Sequence, residues 1–297
     1  MAGENVLPST RTSTAAPALG KLIRMRALKP ADLPSHSDLQ TQQSSGALPE
    51  LSSFITDVLN EAETFVTTYI PRNFKVKSSS KQSPPSSASV ELLSHELNAA
   101  DLPGSGAAEV WFARTSVHEN AAKTGTASWD EFDGGLRADH SKHESEYTPD
   151  VIDAHQVLDW ASGLATCQRT IGTWNDVDVS VVEMLHHIPP PLNKRLFTVV
   201  VLTAKQADKF IVVQVPVDTA GMPGAKYNNA TKVTKGMYCS IEYCQLVENG
   251  TKVKWQMATA SDAKGVLPMW AQKLGVPGAI IADVGLFVGW VARGRAT

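Results

Sequence analysis

An α+β fold, a curved antiparallel sheet with a long C-terminal helix lying across it, is what this sequence predicts. Three observations carry the prediction: a strongly periodic helix beginning near residue 50, a series of alternating apolar strands in the second half, and an apolar, glycine-bearing segment close to the C-terminal end. The chain has 297 residues, 42% hydrophobic and 19% charged, which is enough apolar mass for one large packed domain.

Residues 1–48 are rich in Ser, Thr, Pro and Ala without sustained periodicity and read as mostly extended or disordered, with a short packed piece around Leu19 to Leu28. Pro49 then opens a helical pattern in which Leu51, Phe54, Ile55, Val58, Leu59, Ala62, Phe65 and Val66 share a face; the helix is predicted over 49–69, with Pro71 ending it. The globular domain runs from here, 49–297. Residues 77–89 contain seven serines and two prolines and read as a surface loop. A strand is predicted over 109–118, and the polar, acidic stretch 129–150 reads as a short helix and loop.

Further strands are predicted over 177–188, 195–203, 209–217, 236–247 and 251–259, the first of them stopped by Pro189-Pro190-Pro191. Asn249-Gly250 joins the last two as a two-residue hairpin turn, because both central positions need positive φ. Val253, Trp255, Met257 and Thr259 alternate with Lys252, Lys254, Gln256 and Ala258, which predicts a sheet covered on one side. The cover is the segment 268–292, where Ile280, Val284, Phe287 and Val291 form an apolar stripe widened by Ile281, Val288 and Trp290. Gly285 and Gly289 leave a flat strip on that helix, for close packing on the sheet or for a bound apolar molecule.

Composition excludes several function classes. Lys and Arg total 27 against 30 Asp and Glu, a net charge of -3, so no basic footprint for a nucleic-acid partner exists. Three cysteines without a CxxC spacing support neither a disulfide scaffold nor structural zinc and suit a reducing, cytoplasmic setting. Cys239 and Cys244 face opposite sides of one strand and cannot bridge each other. Glu4, Arg11, Lys21, Arg24 and Arg26 interrupt the first thirty residues, so a secretory signal peptide is not expected there, and Glu4 with three prolines opposes a mitochondrial transit peptide. The most apolar stretch, 276–292, carries Pro277 and Asp283 and falls short of the roughly twenty apolar residues of a bilayer span, leaving only transient membrane contact. Phosphate loops and nucleotide fingerprints are absent, so no cofactor is expected.

The segments WFARTSVHEN (111–120), SWDEFDGGLRADHSKHESEYTPDV (128–151), HHIPPPLNKRLFTVVVLTAK (186–205), FIVVQVPVD (210–218) and ATASDAKGVLPMWAQK (258–273) resemble the START-related lipid-binding domains, and most of all a fungal branch of that group labelled a domain of unknown function. The order His186, Pro189, Arg195, Phe197 and the turn Asp262-Ala-Lys-Gly265-Val-Leu-Pro268 carry the more specific part of the likeness. It covers roughly residues 50–292. The resemblance implies the helix-grip fold and an internal cavity for a hydrophobic small molecule (a lipid, a sterol-like molecule, or a polyketide or terpenoid), with one charge pair orienting a ligand hydroxyl or carbonyl. The wider superfamily also includes aromatic polyketide cyclases, so a cofactor-independent cyclase or isomerase of secondary metabolism is the alternative, with His186 as its catalytic group. A third reading makes residues 1–48 the binding arm of an interaction module.

On these grounds the ligand-binding candidates are Arg114, Met184, His186, Arg195, Tyr238, Glu242, Trp255, Val284 and Phe287. His186 shares a strand face with Val182, Met184 and Ile188, so it becomes a polar anchor if that face is the cavity wall. Arg114, Glu183, Arg195 and Glu242 are charged residues in strands suited to burial, where a charge must be paired. Tyr238 and Trp255, like Tyr243 and Trp174, offer aromatic wall or core. The cluster Asp139, His140, His143, Glu144, Glu146 and Tyr147 has the order H-x-x-H-E, which matches neither zinc-peptidase pattern, so no metal is expected; it reads as a solvated or loop-pinning cluster, or as an acid/base pair at a pocket mouth.

Overall fold

The computed structural model describes residues 20–43, 46–102, 107–265 and 269–296. Ten strands form one sheet: β1 (Lys75–Lys81), β2 (Val90–Leu97), β3 (Glu109–Glu119), β4 (Val151–Asp159), β5 (Asn175–His186), β6 (Lys194–Lys205), β7 (Lys209–Pro216), β8 (Val233–Lys235), β9 (Met237–Val247) and β10 (Lys252–Asp262). Their order is β1-β2-β3-β10-β9-β7-β6-β5-β4 with every pair antiparallel, and β8 adds a short parallel pairing to β6. The β9–β10 turn has Asn249 and Gly250 at φ 55° and 81°, as a tight hairpin requires.

Three helices matter here. The first, α1 (Leu51–Thr64), starts where Glu50 Oε2 accepts the Ser53 N–H at 2.8 Å. It does not stop before Pro71. A π-helical segment, Phe65–Tyr69, shifts the hydrogen-bond phase so that Pro71 falls in the first turn of the continuing helix Ile70–Asn73, where its missing N–H costs nothing. The polar stretch forms α2 (His140–Tyr147), preceded by the turn Trp129–Phe132, which Ser128 and Glu131 cap reciprocally. The C-terminal helix α3 (Met269–Gly294) crosses the concave face.

The sheet is covered on both faces, not one. Ile280, Val284, Phe287, Val288 and Val291 of α3 bury against the concave side, whereas Ile211, Val213, Ile241, Ala258 and Ala260 on the convex side pack against α1 and the N-terminal segment. This is why β5, β6 and β7 read as nearly continuous apolar runs instead of clean alternation. Residues 20–43 are irregular but packed: Leu28 pairs with Val217 as an isolated bridge, Leu28, Leu33 and Leu39 are fully enclosed, and Arg24 makes a buried ion pair with Glu109 at 2.8 Å. A low-propensity segment becomes ordered here because it shields an apolar sheet face. Residues 1–19 lie outside the described part. The serine-rich stretch 77–89 is a loop only from residue 82; before that it is the exposed edge strand β1, held by its backbone bonds to β2 and not by burial. The loop Ser83–Pro85 fills the flat strip at Gly285 and Gly289, so that strip faces neither the sheet nor a cavity.

Candidate functional site

The concave face is closed unevenly. Under the C-terminal half of α3 it is solid: Phe287 stacks among Trp255, Phe132 and Tyr147 with ring centroids 5.2–5.8 Å apart, and Val284 joins them. Under the N-terminal half lies a cavity of about 220 Å³. Its floor is the same strand face, Met184 and His186 from β5, Phe197 from β6, Gln214 from β7, Tyr238 from β9, and Met257 with Thr259 from β10. Val276, Ala279, Ile280 and Asp283 of α3 form the roof, and Glu144 of α2 with Thr148 and Asp150 closes one side.

Of the nine predicted residues, Met184, His186 and Tyr238 are in this wall. The His186 ring stands edge-on to Phe197 at 5.1 Å, and Phe197 lies 5.7 Å from Tyr238. Burial holds the His186 imidazole below its ordinary pKa against the opposing pull of Glu144, so it is neutral near pH 7. Burial likewise raises the Tyr238 phenol, which stays a hydroxyl.

Arg114, Glu242 and Trp255 lie beside the cavity, in the solid part. Arg114 is fully buried, its guanidinium stacked 3.9 Å over the Trp255 ring and 3.6 Å from Glu242 Oε2, while the Trp255 indole N–H donates to that same oxygen. Val284 and Phe287 are packing residues of this core. Arg195 is elsewhere: it donates to the carbonyl oxygens of Ala263 at 2.6 Å, of Lys264 at 3.4 Å and of Asn193. It therefore secures the turn ahead of α3, where Gly265 has φ +67°, and is not among the residues lining the cavity. Strand position put Arg195 on the cavity side; the reach of its side chain took it to backbone oxygens at the sheet's end.

Two carboxylates of this wall, Asp283 and Glu144, are not among the ligand-binding candidates. Asp283 was noted only as an interruption of an apolar stretch, yet a lone acid in such a stretch is itself the signal that a polar partner or cavity faces it. Burial, with Glu242 and Glu144 nearby, pushes its pKa up to about 7 despite the pull of Arg114. Glu144 belongs to the acid–histidine cluster, and that cluster is not wholly solvated. His140 is buried, its Nδ1 donates to the Leu136 carbonyl at 2.6 Å, and its Nε2 lies 3.4 Å from Glu144 Oε2. Burial works against both charges, but their mutual attraction prevails: His140 is raised and Glu144 lowered from their ordinary values. Among the described residues no three metal-ligating groups converge, and the three cysteines are free thiols.

Residues 275–294 of α3 form a helix long and apolar enough by composition to cross a membrane, but its apolar stripe is spent on the concave face.

The same architecture occurs in solved structures. Human STARD10 superposes with a TM-score of 0.55 at 10% identity, over 78% of this chain and 78% of that one. The human StAR-related lipid transfer protein 5 gives 0.56 at 10% identity, over 87% of this chain and 100% of that one. These likenesses establish a START-like helix-grip fold. No curated protein matches the sequence. Residues 111–291, from the middle of the sheet to the end of α3, match the family described as protein of unknown function DUF3074, and the chain belongs to that family.

Proposed function

We propose that this protein encloses a hydrophobic small molecule in the cavity beneath α3, as a carrier or sensor. One observation carries the reading: an interior space of about 220 Å³ in which the apolar side chains of Met184, Phe197, Met257, Val276 and Ile280 face one another, with a few polar groups converging at its margin. Removing about 200 Å² of ligand apolar surface from water contributes roughly 5 kcal/mol before ordering costs, equivalent to about 0.2 mM, so tighter binding draws on the polar groups at the margin. The fold shared with two StAR-related proteins, one of them named for lipid transfer, supports the reading. A cytoplasmic carrier, meeting membranes only transiently, fits the free thiols and the net charge of -3.

The test is titration of lipid-stripped protein with a fluorescent apolar probe, beside Ala279→Phe, which places a ring in the roof. The wild type should bind saturably, and the variant should lose binding while keeping its circular dichroism and melting point. No uptake by the wild type would refute the proposal.

A second reading is favoured by a specific pairing. A neutral His186 and an Asp283 that titrates near pH 7 line one cavity, as general acid–base work on an apolar ketide or terpenoid requires. A cofactor-independent cyclase or isomerase would lose turnover in His186→Ala while retaining product binding.

A further inference from the structure

A second cleft adjoins the cavity along the same strand face. It holds about 380 Å³ and is lined by Ser180 and Val182 of β5, Val201 and Thr203 of β6, and Ala138 and His140 at the start of α2. Successive inward positions of β5 thus pass from one space to the other: Ser180 and Val182 face the cleft, Met184 and His186 the cavity. Helix α2 does the same one turn apart, giving His140 to the cleft and Glu144 to the cavity.

What separates them is a wall of three side chains. The Gln214 amide nitrogen lies 2.9 Å from His140 Nε2 and donates to Glu144 Oε2 at 3.4 Å, while His140 and Glu144 themselves stand 3.4 Å apart. All three contacts join side chains and two are at the limit of hydrogen bonding, so opening the wall takes rotamer changes at Gln214 and Glu144 and no backbone movement. The cavity alone is smaller than the roughly 300–1,000 Å³ of pockets that enclose drug-sized ligands; with the cleft it falls within that range.

Resting on the hydrophobic-ligand reading, we propose that cleft and cavity are the head and tail compartments of one chamber, and that the ligand is a single-chain amphiphile with an uncharged, hydroxyl-rich head. The charges inside the cleft are already matched, Arg137 with Asp133, Arg169 with Asp178 and Asp176 with Lys205 at 2.8 Å, while Asp139 and Lys142 stand exposed at its mouth. A charged head would have to displace one of these partners. A hydroxyl donates to the carboxylates and accepts from the guanidinium and ammonium groups without doing so. Exposed Asp139, Lys142 and Arg169 mark the rim through which the head meets water.

Three probes with one tail test this: 1-octanol, octyl glucoside and octylphosphocholine, each displacing a fluorescent reporter below its micellar concentration. Octyl glucoside should bind wild-type protein about tenfold more tightly than octanol, the gain of one or two net hydrogen bonds. Ala138→Trp, which fills the cleft, should erase that advantage and leave octanol unchanged; Ser141→Trp, on the same cleft wall, serves if the first variant folds poorly. Equal affinity of octanol and octyl glucoside in the wild type, or an advantage that survives both fillings, overturns the proposal, and tighter binding of octylphosphocholine overturns the uncharged head. Failure of all three probes to bind refutes the cavity reading instead.

Discussion

Ser83 Oγ accepts the backbone N–H of Gly285 at 2.8 Å, and the loop carrying Ser83 presses so close to α3 that a Cβ at residue 285 would strike the carbonyl oxygen of Pro84 and lie 2.7 Å from that of Ser83. The loop and helix are 202 residues apart in sequence. Glycine at 285 is thus a condition of close approach, and the roof of the cavity is fastened by backbone contact.

Gly285→Ala should destabilise the protein by about 1–3 kcal/mol, because the obstructing atoms are backbone and cannot rotate away. Gly289→Ala is the control: its Cβ would sit 3.4 Å from Pro85 Cγ, an ordinary contact, and helix propensity favours alanine, so stability should hold or rise slightly. Chemical denaturation of the two variants reads the difference; equal losses would show that the loop yields.

Arg114 and Glu242 predict a coupled pair. Arg114→Met removes the cation facing a buried carboxylate and should cost about 3 kcal/mol, the lower end for breaking a buried pair, because burial already raises the Glu242 pKa and lets it take a proton. Arg114→Met with Glu242→Gln should recover most of that loss, since no charge is then left unpaired. A double-mutant cycle with no coupling energy would remove the pair from the account of this core.

Asp283 sets a pH dependence. Its folded pKa, about 7, lies above the unfolded value near 3.8, so the native state binds more protons than the unfolded chain between those values. Stability therefore falls as pH rises through that window. Asp283→Asn should raise the melting temperature at pH 8 by a few degrees and change it little at pH 4. A variant that tracks the wild type at every pH would show that Asp283 is hydrated.

The N-terminal segment predicts a truncation result opposite to that of a detachable arm. Deleting residues 1–48 strips Ile23, Leu28, Leu33 and Leu39 from the convex face and leaves Glu109 without Arg24. At about 1.5–3 kcal/mol per buried aliphatic side chain, that approaches the whole stability of a domain, so the truncated protein should not fold cooperatively. Deleting residues 1–19 keeps these four side chains and Arg24, and is the proper test of an arm.

The strands β3, β5, β6, β7, β9 and β10, by alternation or by apolar runs, the Asn249-Gly250 turn and the apolar stripe of α3 were all legible in the amino-acid order. Each rests on periodicity or turn chemistry within about a dozen neighbours. The fold class followed from them. Strand alternation also put Met184 and His186 on one face. What it did not reveal was which part of that face stays open. That depends on where α3 settles along the sheet, and hence on the Ser83–Pro85 loop far away in sequence, which leaves Trp255 and Phe287 in solid core and a space beside His186. The same long-range packing turned a weakly patterned N-terminal segment into a cover for the convex face, sent Arg195 to backbone oxygens, and joined Glu144 and Asp283 in one wall. Local pattern determines elements and their faces; only the packing of distant elements decides which faces touch protein and which enclose a space.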